Sequence, residues 1–164
     1  MFRTASIISG LLLLLISMAP AFADPVSLLV GTWTVDVSKL TMPDPPNRVT
    51  IVLAAVGGGK YKMTVDIVDH SGARRHGEST FTPDGTSSPA AGTADYDIVS
   101  MTMPSRRILV MGGGFKGHPS NTRVFSLSDG GKQMIETVVS HASDGTPQTR
   151  VDVWTRSSSP AGRE

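Results

Sequence analysis

Apolar and polar side chains alternate along most of the chain that follows residue 27. Trp33, Val35 and Val37 alternate with threonine and aspartate, the two-residue period of a half-buried strand. The same period recurs within residues 60–69. No segment after the first 23 residues has a convincing helical period. The pattern therefore predicts strands and turns from end to end.

Turn signals separate the alternating segments at intervals of about 8–12 residues, which is typical of a sandwich or barrel. A proline-rich connection over residues 41–47 follows the first strand, and a hairpin turn is predicted at Pro104-Ser105. Short connections favour an all-β, antiparallel, up-and-down meander of about 8–10 strands, and closure into a barrel removes its edges. The predicted strands are residues 28–37, 48–56, 60–69, 74–82, 86–89, 96–103, 106–115, 121–128, 132–140 and 147–156.

The first 23 residues have the three-part layout of a signal peptide. Arg3 precedes an apolar run over residues 7–16, and Ala21 and Ala23 supply the small residues before a cleavage site after Ala23. An uncleaved membrane anchor is the alternative, but Pro20 and several polar residues make a spanning helix marginal. We expect a signal peptide helix (1–23), one barrel domain (24–156) and a disordered tail (157–164), in the periplasm or outside the cell.

Composition narrows the possible partners. The chain has no cysteine, so its stability must come from buried apolar surface without disulfides. It carries 15 Lys and Arg against 14 Asp and Glu, and loss of Arg3 with the leader leaves the remainder formally neutral. A neutral domain argues against nucleic acid as a partner. Once cleaved, the domain is not expected to be an integral membrane protein.

Residues near the start of the domain resemble a known family. Gly31-Thr32-Trp33, followed by Asp36-Val37-Ser38-Lys39, is similar to the start of small bacterial secreted lipocalin-like (calycin-like) β-barrel proteins, and spaced Asp-Gly turns accompany it. The resemblance covers residues 28–156. It implies a barrel that holds a small apolar ligand, with Trp33 closing the barrel floor. It also implies a basic residue from a late strand packed across that tryptophan, either Arg150 or Arg156.

No motif indicates catalysis or a cofactor. Residues 112–117 satisfy G-x-G-x-x-G, but a turn follows them where a dinucleotide site needs a helix. The four histidines have no metal-ligand spacing, and a zinc site assembled from distant strands is the alternative interpretation. No nucleophile elbow Gly-x-Ser-x-Gly occurs. We therefore predict that the protein is not an enzyme and has neither metal nor cofactor.

The leading hypothesis is an exported barrel that binds a small hydrophobic or amphipathic molecule. The candidate residues lining its cavity are Trp33, Tyr61, Met63, Val65 and Met101. One alternative is a ligand-free structural or interaction module of the cell envelope. A second is periplasmic copper binding, because Met101 and Met103 place two soft sulfur ligands on one face of a strand. Methionine is also the common filler of irregular apolar interiors.

Overall fold

The computed structural model describes residues 27–157, so the predicted signal peptide and the predicted tail after Ser157 lie outside the described residues. The described chain consists mainly of strands. They are β1 (Gly31–Val35), β2 (Arg48–Gly57), β3 (Lys60–Val68), β4 (Arg74–Phe81), β5 (Asp84–Pro89), β6 (Ile98–Ser105), β7 (Ile108–Phe115), β8 (His118–Leu127), β9 (Gln133–His141) and β10 (Pro147–Arg156).

The ten strands form one antiparallel sheet in the order β4-β3-β2-β1-β10-β9-β8-β7-β6-β5. Each strand pairs with the next strand in the sequence, except that β4 does not pair with β5. In addition, β1 pairs with β10. An isolated bridge between Glu78 and Ala91 links the two edges at this gap. The predicted all-β meander is therefore confirmed, and its strands form a nearly closed barrel.

Several predicted boundaries were wrong. The turn predicted after residue 117 is absent, because β8 begins at His118. Two other differences have a clear local reason. The first strand ends at Val35, because the Asp36 side chain accepts a hydrogen bond from the Ser38 backbone N–H and caps a 3-10 turn over Val37–Lys39. The turn between β6 and β7 lies at Arg106 and Arg107, not at Pro104-Ser105. Pro104 instead falls where the β6 and β7 registers shift, a position that needs no backbone N–H donor.

One end of the barrel is closed by the residues that precede β1, and we call this end the floor. Trp33 is completely buried there, and its indole Nε1 donates to the Leu29 carbonyl at 2.8 Å. The Arg156 guanidinium lies over the Trp33 ring, 4.1 Å from its centroid, and donates to the carbonyls of Leu28 and Val30 at 2.7 Å each. Of the two basic residues proposed to pack across Trp33, Arg156 takes this place.

The gap between β4 and β5 is covered by residues 90–97, which we call the strap. Glu78 and Ala91 exchange two backbone hydrogen bonds, of 3.0 and 2.9 Å, so the strap is fastened directly to β4. Gly92 has a φ of +73°, and a Cβ at this position would overlap the His76 carbonyl oxygen. A Cβ on Gly77 would lie 2.7 Å from Cγ2 of Thr93. Two glycines thus permit the close approach of strap and barrel.

Candidate functional site

The end of the barrel opposite the floor contains a cavity of about 410 Å³. Its mouth is framed by the β1–β2 connection, the β3–β4 turn and the strap. Ligand sites for small molecules typically measure about 300–1,000 Å³, so the cavity has the size of a small-molecule site. Its apolar lining residues include Val35, Leu40, Met42, Val49, Ile51, Met63, Val65, Ile67, Met111, Phe125 and Trp154.

Charged side chains from β8 and β9 meet inside the cavity. Glu136 is completely buried, and Nη1 of Arg123 donates to its Oε1 at 2.9 Å. The indole Nε1 of Trp154 donates to the other oxygen, Oε2, at 3.0 Å. Both oxygens of this carboxylate are therefore hydrogen-bonded, which offsets part of the free-energy cost of burying it.

A second ion pair lies on β10, beside the first. Nε of Arg150 donates to both oxygens of Asp152, at 3.0 and 2.9 Å. Asp152 is 3% exposed, whereas the Arg150 side chain is 34% exposed. Asp152 stands directly opposite Glu136 in the register of β9 and β10. Two carboxylates and two guanidiniums are thus collected on adjacent strands in the barrel interior.

Burial and the neighbouring charges act on this cluster in opposite directions. Burial raises the pKa of Glu136 above its ordinary value, and the charge of Asp152 adds to that rise, while Arg123 opposes it. Burial opposes the charge on Arg123, but Glu136 and Tyr96 outweigh it and raise the Arg123 pKa. The arginine therefore stays charged, with the Glu136 carboxyl group as its partner at 2.9 Å.

The rim of the cavity adds further polar groups. Arg123 lies over the Tyr96 ring, with Cζ 5.9 Å from the ring centroid, and its Nη2 is 4.0 Å from an oxygen of Asp95. Burial raises the pKa of the Tyr96 hydroxyl, which favours its neutral, donating form. Besides Tyr96, the ionisable residues that line the cavity are Asp44, Asp69, His70, Arg75, Asp95, Arg123, Glu136, Arg150 and Asp152.

The five residues predicted from sequence to line a cavity lie in three places. Met63 and Val65 line the large cavity. Trp33 lies in the floor, beside a void of about 10 Å³. Met101 lines another void of about 10 Å³, together with Met63 and Met111. The Tyr61 hydroxyl accepts from the Ser27 backbone N–H at 3.2 Å, which ties this side chain to the floor.

Sequence reasoning missed the charged cluster, because alternation alone does not say which set of residues faces inward. In β10 the apolar residue Val151 is 56% exposed, whereas Asp152 is buried. The useful signal is parity: residues an even number of positions apart in a strand face the same side, so a charged residue that shares its parity with a large apolar residue faces inward with it. Trp154 shares the parity of Asp152 and Arg150, and Met134 shares that of Glu136. The large buried residue of each strand therefore identifies the inward face on which the charged residues of the same parity also lie.

Neither a metal nor a membrane span is indicated by the described residues. Within residues 27–157, no group of three or more His, Asp or Glu side chains is placed to hold a metal ion. Met63, Met101 and Met111 are all buried, and together they fill the interior between floor and cavity. In this same part of the chain, no helix has the length and apolar character needed to cross a membrane.

Comparison with solved structures identifies the class of fold. A variant of the fluorescent protein UnaG matches with a TM-score of 0.51 and 16% identity, over 80% of this chain and 97% of that chain. A second UnaG variant matches with a TM-score of 0.48 and 16% identity, over 79% of this chain and 96% of that chain. No protein-family model and no curated protein matches the sequence. The first likeness shows the fold, a calycin-like β-barrel.

Proposed function

We propose that this calycin-like barrel is a non-catalytic binding protein for a small amphipathic molecule. The observation that carries the proposal is the cavity of about 410 Å³, apolar over most of its wall and polar where β8, β9 and β10 meet. Burying apolar ligand surface yields about 25 cal/mol per Å², so the wall supplies affinity. The polar residues orient the ligand's polar end.

The proposal includes export. The signal-peptide layout of residues 1–23 predicts that the barrel acts in the periplasm or outside the cell, after cleavage following Ala23. A barrel without cysteine keeps its interior free of thiol chemistry in an oxidising compartment. The alternative of a ligand-free structural module is disfavoured by the cavity, because a purely structural barrel is expected to fill its interior with side chains.

Native mass spectrometry of the protein purified from its producing cells tests both parts. We expect an intact mass that lacks residues 1–23, together with a bound small molecule that is released on unfolding. Recovery of the uncleaved chain would remove the export proposal. A ligand-free protein that also fails to bind the neutral fluorescent probe N-phenyl-1-naphthylamine would remove the binding proposal.

A matched pair of variants checks that binding occurs in the cavity. Val65 lines the cavity, and Val151 is 56% exposed on the outside of the barrel. Val65→Trp should fill much of the cavity and abolish ligand retention. Val151→Trp makes the same substitution outside and should retain the ligand. Equal retention by the two variants would place the ligand elsewhere.

A further inference from the structure

Two of the three arginines that line the cavity, Arg123 and Arg150, already have carboxylate partners from this chain. Arg123 is bound to Glu136 at 2.9 Å, and Arg150 is bound to Asp152 through both carboxylate oxygens. Both carboxylates are almost completely buried, at 1% and 3% side-chain exposure. Water therefore screens these pairs poorly, and each carboxylate neutralises its arginine at close range. At the inner end of the cavity, each of these two guanidiniums thus has a buried carboxylate as its own counter-ion.

The rim does not provide a surplus of positive charge. Asp44, Asp69 and Asp95 line the outer part of the cavity, against Arg75 and His70. Of these, Asp95 lies nearest to Arg123, with 4.0 Å between the carboxylate oxygen and Nη2. A ligand carboxylate that approaches Arg123 would meet the charges of Asp95 and Glu136 as well. An ionised group buried without its own counter-ion loses much hydration free energy and regains little of it.

Hydrogen-bond donors nevertheless remain for a ligand. Arg150 uses Nε for Asp152, and among the described residues its two terminal nitrogens have no acceptor and are not buried. Arg150 lines the cavity, as does Tyr96 with its neutral hydroxyl. These groups suit a ligand atom that accepts hydrogen bonds without carrying a full charge, such as the carbonyl oxygen of an amide.

We propose that the cavity selects ligands whose polar end is an uncharged hydrogen-bond acceptor of the amide type. Glu136 and Asp152 act as resident counter-ions that exclude carboxylates from Arg123 and Arg150. This inference rests on the proposed function and names the ligand chemistry of the same cavity. Selectivity here comes from repulsion of the wrong ligand as much as from attraction of the right one.

A series of ligands that differ only in the polar end tests the inference. N-phenyl-1-naphthylamine is bound to the purified protein near neutral pH and displaced by dodecanamide, dodecanoate or dodecylamine. We expect dodecanamide to displace the probe at about a tenfold lower concentration than either ion, a ratio that corresponds to a modest residual electrostatic penalty. Equal or better displacement by dodecanoate or by dodecylamine would overturn the inference.

Removal of one resident counter-ion should change the preference. In Asp152→Asn, Arg150 keeps a hydrogen-bond partner but loses its neutralising charge, so dodecanoate should bind about tenfold more tightly while dodecanamide changes little. Glu136→Gln makes the same change at Arg123 and serves as the second variant if the first does not fold. Asp129→Asn removes an equal charge from a fully exposed turn and should alter neither affinity.

The possible failures are distinguishable. If neither the probe nor any of the three dodecyl compounds binds, the proposed function fails, and the selectivity fails with it. If they bind but dodecanoate is preferred, only the selectivity is overturned. If dodecanamide is preferred but both counter-ion variants leave dodecanoate affinity unchanged, the role assigned to Glu136 and Asp152 is wrong.

Discussion

The two ends of the barrel interior are filled in opposite ways, although the same strands run through both. At the floor, β8 and β9 contribute Leu127 and Met134, both buried in a continuous apolar core that includes Trp33. Only a few positions further along, the same inward faces contribute Arg123 and Glu136 to the cavity. One end is closely packed, and the other is hollow and lined with ion pairs.

This contrast indicates a division of labour along the barrel axis. A packed core supplies most of the free energy of folding, because buried apolar surface and close contacts both stabilise it. A hollow end with buried charges adds little and is tolerated when the remainder of the barrel is stable enough. The floor therefore allows the opposite end to keep the cavity on which the proposed binding function rests.

The largest expected effect comes from removing the central side chain of the floor. Trp33→Ala should lower the free energy of unfolding by about 3–5 kcal/mol, because it leaves a large void in a packed region and removes the surface on which Arg156 rests. Val65→Ala at the cavity wall should lower it by about 1 kcal/mol, since the cavity is already open there. Urea denaturation measures both, and equal losses would refute the division of labour.

A smaller effect should follow from disturbing the strap at the open end. Gly92→Ala combines an unfavourable positive φ with overlap of the His76 carbonyl, and we expect a loss of about 2 kcal/mol. Gly145 is the matched control, because its φ is +85° and nothing lies near its would-be Cβ. Gly145→Ala should therefore lose only the backbone component, about 1 kcal/mol. Identical losses would mean that the strap moves freely to accept the methyl group.

The smallest effect concerns charges on the outside of the barrel, which contrast with those inside. Asp66 and then Glu78 raise the pKa of His76, with Asp66 at 2.7 Å from its Nδ1. Protonation of His76 thus favours the folded state at low pH, and this contribution disappears as pH rises from the ordinary histidine pKa through the raised one. Because all three side chains are exposed, the change in unfolding free energy should be close to undetectable.

An NMR titration of His76 measures the pKa directly. Asp66→Asn should lower it towards its ordinary value, and Asp129→Asn on a distant turn should leave it unchanged. A His76 pKa that does not respond to Asp66→Asn would show that the pair is broken in solution. A large pH-dependent loss of stability would show that charges outside the barrel matter as much as the core.

The sequence was sufficient for the fold because the fold depends on local signals. Alternation, short turns and the lack of a helical period predict an up-and-down β-barrel, and the structure confirms it with ten antiparallel strands. Trp33 could be assigned to the floor from the family resemblance alone. The choice between Arg150 and Arg156 could not be made, because it depends on how far along β10 the floor lies, and only pairing with β1 fixes that position.

The site was harder to predict than the fold, because its residues are joined across strands. Arg123 and Glu136 are 13 positions apart, and their contact follows from the β8–β9 register, not from spacing. Val151 and Asp152 also reverse the usual pattern of burial. The valine is expected inside and the aspartate outside, but Val151 is exposed and Asp152 is buried. Met63 and Val65 could be predicted from the sequence, because the apolar residues of β3 alternate with polar ones and face the cavity.

Pairing of β1 with β10 has a consequence for how the chain is made. The first and last strands meet at Trp33 and Arg156, and Arg156 also bonds to carbonyls that precede β1. The barrel cannot close on the ribosome until its final strand has emerged, since most of the chain separates these partners. A contact of such long range is slow to form. The closed barrel therefore cannot form before β10 has been synthesised.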